Sequence, residues 1–319
     1  MQTFEFTVEK EDEGLGIRRL LKKRLDFSSR LLARLRAQKR VYLNGEILEG
    51  WMKPKAGDVI TALLPDEKSH FEPEDIDTDV LYEDGDILIL NKQPGITVHP
   101  TYGHPSHTIA NGLMKHMEET GDSFKIRFVN RLDMDTSGLL IVGKNSHAQD
   151  DIVRQMQENR VEKRYIAIVR GEITENALKQ PGVTVTEYDE DDNPRFTIDL
   201  PIGGPAGGTA NRFVTEDGYP SVTHVRILQV ASGYSMIELL LETGRTHQIR
   251  VHLSHLGFPI IGDELYGGAA PSLIDRQALH AYSLRFSHPR SGKPMRFEAA
   301  VPADMKQALY KIIAAGQEE

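Results

Sequence analysis

From residue 80 onward, the chain is built of short apolar runs that glycine, proline, asparagine and aspartate interrupt. The clearest runs occupy residues 87–90, 139–142, 165–169, 222–229 and 235–241. Short runs bounded in this way are typical of strands. Only residues 108–119, 149–158 and 304–315 have the length and pattern of helices. Many strands with few helices between them favour a mixed, mostly antiparallel α+β fold over a doubly wound one.

The charge of the chain is distributed unevenly. The 319 residues carry a net charge of −9, but residues 18–40 contain ten lysines and arginines and one acid. This segment alone carries +9, which leaves −18 for the rest of the chain. A concentrated basic segment on an acidic protein is typical of a surface that binds phosphates. The alternative interpretation is a solvated helix face with no ligand.

The basic segment lies within a compact N-terminal pattern. Residues 15–25 predict one short helix, and Ser28 or Ser29 can cap a second. Asn44-Gly45 between two strand-like runs predicts a hairpin, because its turn needs positive φ at both positions. Two basic helices against a small sheet therefore predict a separate module.

We predict three segments: a domain over residues 1–66, an acidic linker over residues 67–79 and a second domain over residues 80–319. The first domain resembles the alpha-L RNA-binding fold shared with a small-subunit ribosomal protein, through residues 29–40, 41–45 and 55–60. The resemblance implies that its second helix and the following loop bind RNA. The expected RNA-binding residues are Arg30, Arg34, Arg36, Lys39 and Arg40.

The composition excludes several kinds of site. The chain has no cysteine, which rules out disulfides, thiolate zinc sites, iron–sulfur clusters and a cysteine nucleophile. Residues 138–145 come close to a phosphate-binding loop, but Asn145 stands where that loop needs a hydroxyl. His247, His252 and His255 match no zinc-ligand spacing. We therefore expect no nucleotide cofactor and no metal.

The sequence also predicts a cytoplasmic location. No apolar run approaches the roughly 18 residues that a membrane span needs. Residues 1–14 are acidic and lack the apolar core of a signal peptide.

Two polar clusters are the candidates for chemistry. Residues 130–136 alternate charged side chains and lead directly into an apolar run, which would present them at a strand edge, a usual place for catalytic groups. Residues 241–253 include two arginines, two histidines and a glutamine within eight residues. Guanidinium groups suit both phosphates and buried carboxylates. From spacing alone, a solvated turn and a polar helix start remain as alternatives, as does a metal-dependent phosphohydrolase using Asp133 and Asp135.

Together the two clusters resemble those of the RluA-type RNA pseudouridine synthases. The resemblance extends over residues 80–303 in six ordered blocks, which lie within residues 90–100, 131–139, 163–171, 243–250, 262–267 and 280–289. It implies an isomerase that detaches uracil from its ribose, turns the ring and rejoins it through carbon five, with no cofactor. One position departs from the pattern, because the family usually has histidine where this chain has Asn130.

The resemblance also implies three catalytic residues. Asp133 would be the catalytic aspartate, and Arg250 would form the ion pair that keeps it ionised. Arg245 is the alternative for this ion pair. Tyr165 would stack on the target base, although a core tyrosine on a strand is the simpler interpretation.

Four further residues are expected to contact the substrate. Arg131 would fill the place that the target base leaves when it is extruded from folded RNA. Leu284 would close the apolar floor of the pocket. Arg245 and His247 complete the predicted substrate-binding set.

The resulting prediction is a monomeric enzyme that modifies structured RNA, with large-subunit ribosomal RNA as the expected substrate. Transfer RNA is the alternative substrate. A non-catalytic RNA-binding or ribosome-assembly factor on the same scaffold is the alternative function.

Overall fold

The computed structural model describes residues 2–188, 190, 193–205 and 211–316. The N-terminal part forms a four-stranded antiparallel sheet, in the order β1-β4-β2-β3, with two helices packed against it. Its elements are β1 (Thr3–Thr7), α1 (Ile17–Leu25), α2 (Ser29–Ala37), β2 (Val41–Leu43), β3 (Glu46–Ile47) and β4 (Val59–Leu63).

Local signals in this part of the sequence are confirmed. The Ser28 side chain caps α2 by accepting a hydrogen bond from the Leu31 amide at 3.2 Å. Asn44 and Gly45 have φ values of 50° and 87° and join β2 to β3 as a hairpin. The leucines of both helices point into a small core with Phe27, so the charged residues are left on the outer side.

The second part is a larger α+β domain. Its strands are β5 (Val80–Glu83), β6 (Ile87–Lys92), β7 (Arg127–Phe128), β8 (Ser137–Gly143), β9 (Glu162–Arg170), β10 (Val183–Tyr188), β11 (Pro194–Asp199), β12 (Ile202–Gly203), β13 (Phe213–Val214), β14 (Val222–Ala231), β15 (Tyr234–Leu241), β16 (Leu279–Ser287) and β17 (Pro294–Glu298). Its helices are α3 (Ile109–Thr120), α4 (Ser146–Gln157), α5 (Gln248–His255) and α6 (Ala303–Ala315).

Eleven of these strands form one sheet with the order β10-β11-β14-β15-β9-β16-β8-β6-β5, in which β17 pairs with β16 and β7 with β8. Among the described strands, every pair in this sheet is antiparallel except β8 with β16. The prediction of a mixed, mostly antiparallel α+β domain is therefore confirmed. The prediction for α4 starts three residues late, because the Asn145 side chain caps the helix through the Ala148 amide at 2.9 Å.

A glycine makes the parallel pairing possible. Gly138, the second residue of β8, has a φ of +114°, and a Cβ at this position would lie 2.2 Å from the carbonyl oxygen of Ala281 on β16. No side chain can occupy that space, so only glycine lets the two strands approach so closely. The pairing places the residues just before β8 beside the centre of the sheet.

Residues 64–79, which include the predicted linker, form neither helix nor strand. They are nevertheless held along the second domain. Glu67 pairs with Arg127, the Ser69 hydroxyl accepts from the Ile126 amide at 2.9 Å, and the Glu72 carbonyl accepts from Asn111 at 2.9 Å. The stretch therefore has more contacts than its composition suggests, while the domain boundaries at residues 66 and 80 stay predictions. Within the described ranges, no helix has both the length and the apolar composition needed to cross a lipid bilayer.

Candidate active site

The loop between β7 and β8 carries Asp133 and is fastened to its surroundings on several sides. The Asn130 side chain accepts from the Ile141 amide at 2.8 Å and donates to the Leu139 carbonyl at 3.1 Å. Lys92, which is fully buried, donates to the carbonyl of Met134 at 2.7 Å. Because these bonds fix the backbone on both sides of Asp133, its carboxylate is presented in one orientation.

Lys92 holds the loop from inside the domain. Its ammonium also donates to the carbonyls of Gln93 and Ile96, each at 2.8 Å. Burial lowers the pKa of Lys92 to about 7. No role for Lys92 was predicted from the sequence, although it lies in the first block of the family resemblance.

Arg250 on α5 joins Asp133 to a second carboxylate. Its Nη1 donates to Asp133 Oδ2 at 2.9 Å, while Nε and Nη2 donate to the two oxygens of Asp263 at 2.7 and 2.9 Å. Asp263 is buried, whereas the Asp133 side chain is 27% exposed. The adjacent carboxylates raise the pKa of Arg250 despite its burial, so the guanidinium stays charged. Such two-point pairs fix the guanidinium plane as well as its charge.

His247 stands beside this ion pair at the N-terminus of α5. Its φ of 58° is left-handed, and its ring nitrogens face Tyr266 Oη at 3.0 Å and Asp133 Oδ2 at 3.9 Å. Burial lowers the pKa of His247, which favours the neutral ring near pH 7.

A cavity of about 790 Å³ opens in front of these groups. It falls within the usual range of about 300–1,000 Å³ for pockets that enclose a small molecule. Tyr165 on β9 lies in its wall with Leu279 and Leu132. Burial, together with the charge of Asp133, raises the pKa of Tyr165, so its hydroxyl stays protonated at neutral pH.

Two predicted arginines lie at this cavity without touching Asp133. Arg131 is exposed, and among the described residues it has no hydrogen-bond or ion-pair partner. Arg245 donates through Nε to the Pro220 carbonyl at 3.3 Å, and its guanidinium lies 5.4 Å from the centre of the Tyr219 ring. Of the two arginines considered for the ion pair with Asp133, the structure brings Arg250 to it and not Arg245.

Leu284 requires a correction. It is buried, but it packs in a cluster with Val161 and Phe286 and is absent from the wall of the cavity. The register of β16 shifts between Ala281 and Ser283, and such a bulge changes the direction of the side chains that follow it. Leu279, on the other side of this bulge, lies in the cavity wall instead.

Asp263 is a site residue for which the sequence predicted no role, although it lies in the fifth block of the family resemblance, residues 262–267. Its pairing with Arg250 could have been expected, because a buried arginine needs a compensating negative charge and few acidic residues lie near Arg250 in the sequence. Among the described residues, only Asp84, Asp86 and His288 are grouped closely enough to suggest a metal site, and Asp133 is not among them. Arg290 already holds Asp86 at 2.6 Å, and His288 faces Asp84 at 2.8 Å. This arrangement gives no support to a metal-dependent use of Asp133.

The predicted RNA-binding residues of the N-terminal domain divide into two groups. Arg34 pairs with Glu67 at 3.2 Å, and Arg40 donates to the Leu64 carbonyl at 3.3 Å. The others belong to what we call the basic surface, whose exposed cations have no ion-pair partner among the described residues: Arg18, Arg19, Lys22, Arg30, Arg36 and Lys39.

Helix α4 connects this domain to the cavity. Ser28 and Asp26, in the turn between α1 and α2, bond to Asp150 and Arg154 of α4, each at 2.6 Å. Val153 on the same helix, along with neighbouring residues, lies in the cavity wall. The basic helices and the Asp133 cavity are therefore attached to one element.

Comparisons with known proteins match this arrangement. A sequence model of RNA pseudouridylate synthases matches residues 86–255, and a model of the RluD ribosomal pseudouridine synthase N-terminal domain matches residues 4–60. An uncharacterized RNA pseudouridine synthase of Bacillus subtilis is 39% identical over 86% of each chain. The ribosomal large subunit pseudouridine synthase D of Vibrio vulnificus is 36% identical over 99% of this chain and 97% of its own length.

Two further similarities agree with these. The ribosomal large subunit pseudouridine synthase D of Escherichia coli is 34% identical over 92% of this chain and 89% of its own. The solved structure of human RNA pseudouridylate synthase domain containing 1 superposes with a TM-score of 0.53 at 27% identity, covering 72% of this chain and 86% of that one. The expected fold class and family are thus both confirmed. The chain belongs to the RluA-type family of RNA pseudouridine synthases, which are isomerases.

Proposed function

We propose that this enzyme converts specific uridines of large-subunit ribosomal RNA into pseudouridine, with Asp133 as the catalytic carboxylate. The observation that carries the proposal is the Asp133 carboxylate at the cavity, held through one oxygen by Arg250. The relatives named for large-subunit ribosomal RNA span nearly the whole chain, including the N-terminal domain. The names of these relatives and the presence of the N-terminal domain together favour ribosomal RNA as the substrate over transfer RNA.

The reaction breaks the bond between ribose carbon one and uracil N1, forms a bond from the same ribose carbon to uracil carbon five, and moves the carbon-five proton to N1. No electrons enter or leave overall. An ionised carboxylate can start this sequence by attacking the ribose, by adding to the uracil ring or by abstracting a ribose proton. Each route uses an oxygen of the Asp133 carboxylate, which the hydrogen bond from Arg250 holds in place.

The surrounding residues have supporting roles in this proposal. A uridine within folded RNA must leave its stack to reach the cavity, at a cost of a few kcal/mol. The guanidinium of Arg131 is exposed and has no partner among the described residues. It can occupy the vacated place, because its flat face stacks on neighbouring bases. The ring of Tyr165, whose hydroxyl stays protonated, forms a wall on which the extruded uracil stacks.

The basic surface would hold RNA that flanks the target. Phosphate contacts add affinity that does not depend on sequence and falls with salt. Because α4 joins the basic helices to the cavity, one RNA structure can contact both.

Deleting the gene and mapping pseudouridines across ribosomal and transfer RNA tests this proposal. We expect specific sites in large-subunit ribosomal RNA to lose pseudouridine and to regain it when the wild-type gene is restored. Asp133→Asn should not restore them, since a general acid–base or nucleophilic group contributes about 10² to 10⁴ in rate. The purified Asp133→Asn protein should still bind the RNA.

Asp135→Asn is the matched control, since it makes the same change two residues away on a side chain outside the cavity wall. This variant should restore modification. Loss of sites in transfer RNA alone would overturn the choice of substrate. Full rescue by Asp133→Asn would overturn the catalytic role of Asp133 and favour the non-catalytic alternative.

A further inference from the structure

Lys163 on β9 is a buried lysine that the mechanism above does not use. It lies in the cavity wall two residues before Tyr165 and is 8% exposed. Among the described residues, its ammonium has no hydrogen-bond or ion-pair partner. The other buried lysines are paired: Lys92 donates to three carbonyls, and Lys144 lies against Glu83 and Asp122.

An ammonium on a side chain that is mostly buried keeps only part of its hydration, and without a protein partner that loss is costly. Burial accordingly lowers the pKa of Lys163. The cavity offers no spare carboxylate among its described residues. Asp133 is held by Arg250, and Glu242 faces His224 at 2.7 Å. A negatively charged group on a bound ligand would therefore compensate this ammonium.

We propose that Lys163 binds a phosphodiester group next to the extruded uridine. This inference rests on the proposed function, since it assumes that RNA enters the cavity. Uracil and ribose are neutral, so the phosphates are the only charged groups that such a substrate brings. A lysine ammonium is a compact charge that suits phosphate oxygens.

The surroundings of Lys163 leave room for this contact. A Cβ built on Gly244 would lie 3.9 Å from the Lys163 nitrogen, with no other heavy atom within 4 Å. Gly244 precedes Arg245, which is a second cation of the cavity wall. The open space at Gly244 therefore lets a phosphate approach the Lys163 ammonium.

The test is a double-mutant cycle between Lys163 and single phosphates. The probe is a fluorescently labelled RNA stem-loop around a uridine mapped in the deletion experiment, with the phosphodiester on either side of that uridine replaced by a neutral methylphosphonate. Lys163→Met keeps the apolar stem and removes the charge, and Lys163→Arg keeps the charge. Fluorescence anisotropy gives the dissociation constant, and single-turnover assays give the rate.

We expect Lys163→Met to weaken binding by roughly ten- to a hundredfold, as for the loss of a charge-assisted hydrogen bond. Neutralising one of the two phosphates should weaken wild-type binding to a similar extent and leave Lys163→Met unaffected. Lys163→Arg should retain most of the affinity. Lys115→Met, which removes a half-buried lysine on α3 away from the cavity wall, should bind like the wild type.

Two results would overturn the inference. One is that the effects of Lys163→Met and of phosphate neutralisation on the dissociation constant simply multiply, whichever of the two phosphates is neutralised. That result would mean that Lys163 contacts neither phosphate. The other is that Lys163→Met slows the single turnover at unchanged affinity, which would place the ammonium against the uracil or ribose. Binding does not require turnover, so failure of wild-type isomerisation would count against the proposed function separately. Matching thermal melting of all variants excludes loss of folding as the cause.

Discussion

Arg250 divides its hydrogen bonds unequally between two carboxylates, and the inequality matters for Asp133. Asp263, which is buried, takes two of them and fixes the guanidinium from behind. Asp133 receives one, through Oδ2 alone. Its other oxygen has no partner among the described residues, so the carboxylate is oriented by Arg250 while this oxygen stays free to react.

Replacing Asp263 with asparagine should separate orientation from reactivity. The variant leaves Arg250 buried with one partly exposed partner, so we expect the free energy of unfolding to fall by about 3 kcal/mol. It should also lower kcat more than it raises KM, because Asp133 would lose its fixed orientation while the RNA contacts remain. Urea unfolding and steady-state kinetics measure the two effects.

Asp304→Asn is the comparison variant. It removes the carboxylate that pairs with Arg276 at 2.6 Å, but the Asp304 side chain is 41% exposed. Arg276 also keeps its bonds to the carbonyls of Gln277 and Leu279, so the free energy of unfolding should fall by about 1 kcal/mol or less. Equal losses in the two variants would argue against a special role for the buried pair.

At the scale of elements, α1 and α2 present leucines to one side and cations to the other. Part of their charge is used within the protein, since Lys23 and Arg24 pair with Asp12 at 2.9 and 2.7 Å. The unpaired remainder forms the basic surface. Trp51, the only tryptophan of the chain, is 76% exposed next to Gly50, whose Cβ position lies 3.6 Å from Arg36.

Substituting Arg30, Arg36 and Lys39 together with glutamine should weaken RNA binding and flatten its salt dependence. Each lost phosphate contact lowers the slope of log Kd against log salt by about 0.7–0.9, so the three should lower it by about 2–3. Titrations between about 50 and 200 mM salt measure this slope. A change in Trp51 fluorescence on RNA binding would report contact beside Arg36 directly.

A triple variant of Lys115, Lys306 and Lys311 is the control, because these lysines on α3 and α6 carry the same charge outside the basic surface. Lys306 and Lys311 are exposed and Lys115 is half-buried. An equal change in slope in both triple variants would show that binding follows net charge and not the basic surface.

At the scale of the whole molecule, the two domains meet through an aromatic cluster. Phe4 and Phe27 of the first domain lie 5.1 and 5.0 Å from the His147 ring of the second, and Arg290 lies 3.7 Å from the centre of the Phe4 ring. His147 opens α4, the helix that reaches the cavity. The interface therefore sets where the basic surface stands relative to Asp133.

The interface should weaken in acid. Burial lowers the pKa of His147, so below its ordinary value of about 6.5 the unfolded state binds more protons than the folded state. Stability should therefore fall as the pH drops through this range. His147→Gln can still donate to the Pro289 carbonyl but does not titrate. Its free energy of unfolding should therefore fall less between about pH 7.5 and 5.5 than that of the wild type. Urea unfolding at both pH values checks this, and parallel pH profiles would contradict it.

The sequence by itself determined the features that depend on near neighbours in the chain. The Asn44-Gly45 turn, the Ser28 cap, the leucine faces of the basic helices and the polar cluster that leads into β8 all follow from local backbone preferences and from the period of apolar residues. These features were sufficient to predict the fold class and, with the ordered blocks, the family.

Only the tertiary structure decided which distant groups meet. Asp133 and Arg250 are 117 positions apart, and spacing could not distinguish Arg250 from Arg245. The same holds for the pairing of Asp263, the position of Leu284 behind the bulge and the solitary charge of Lys163. Each of these depends on how strands and helices pack across the sheet, where small shifts in register decide which side chains reach the cavity.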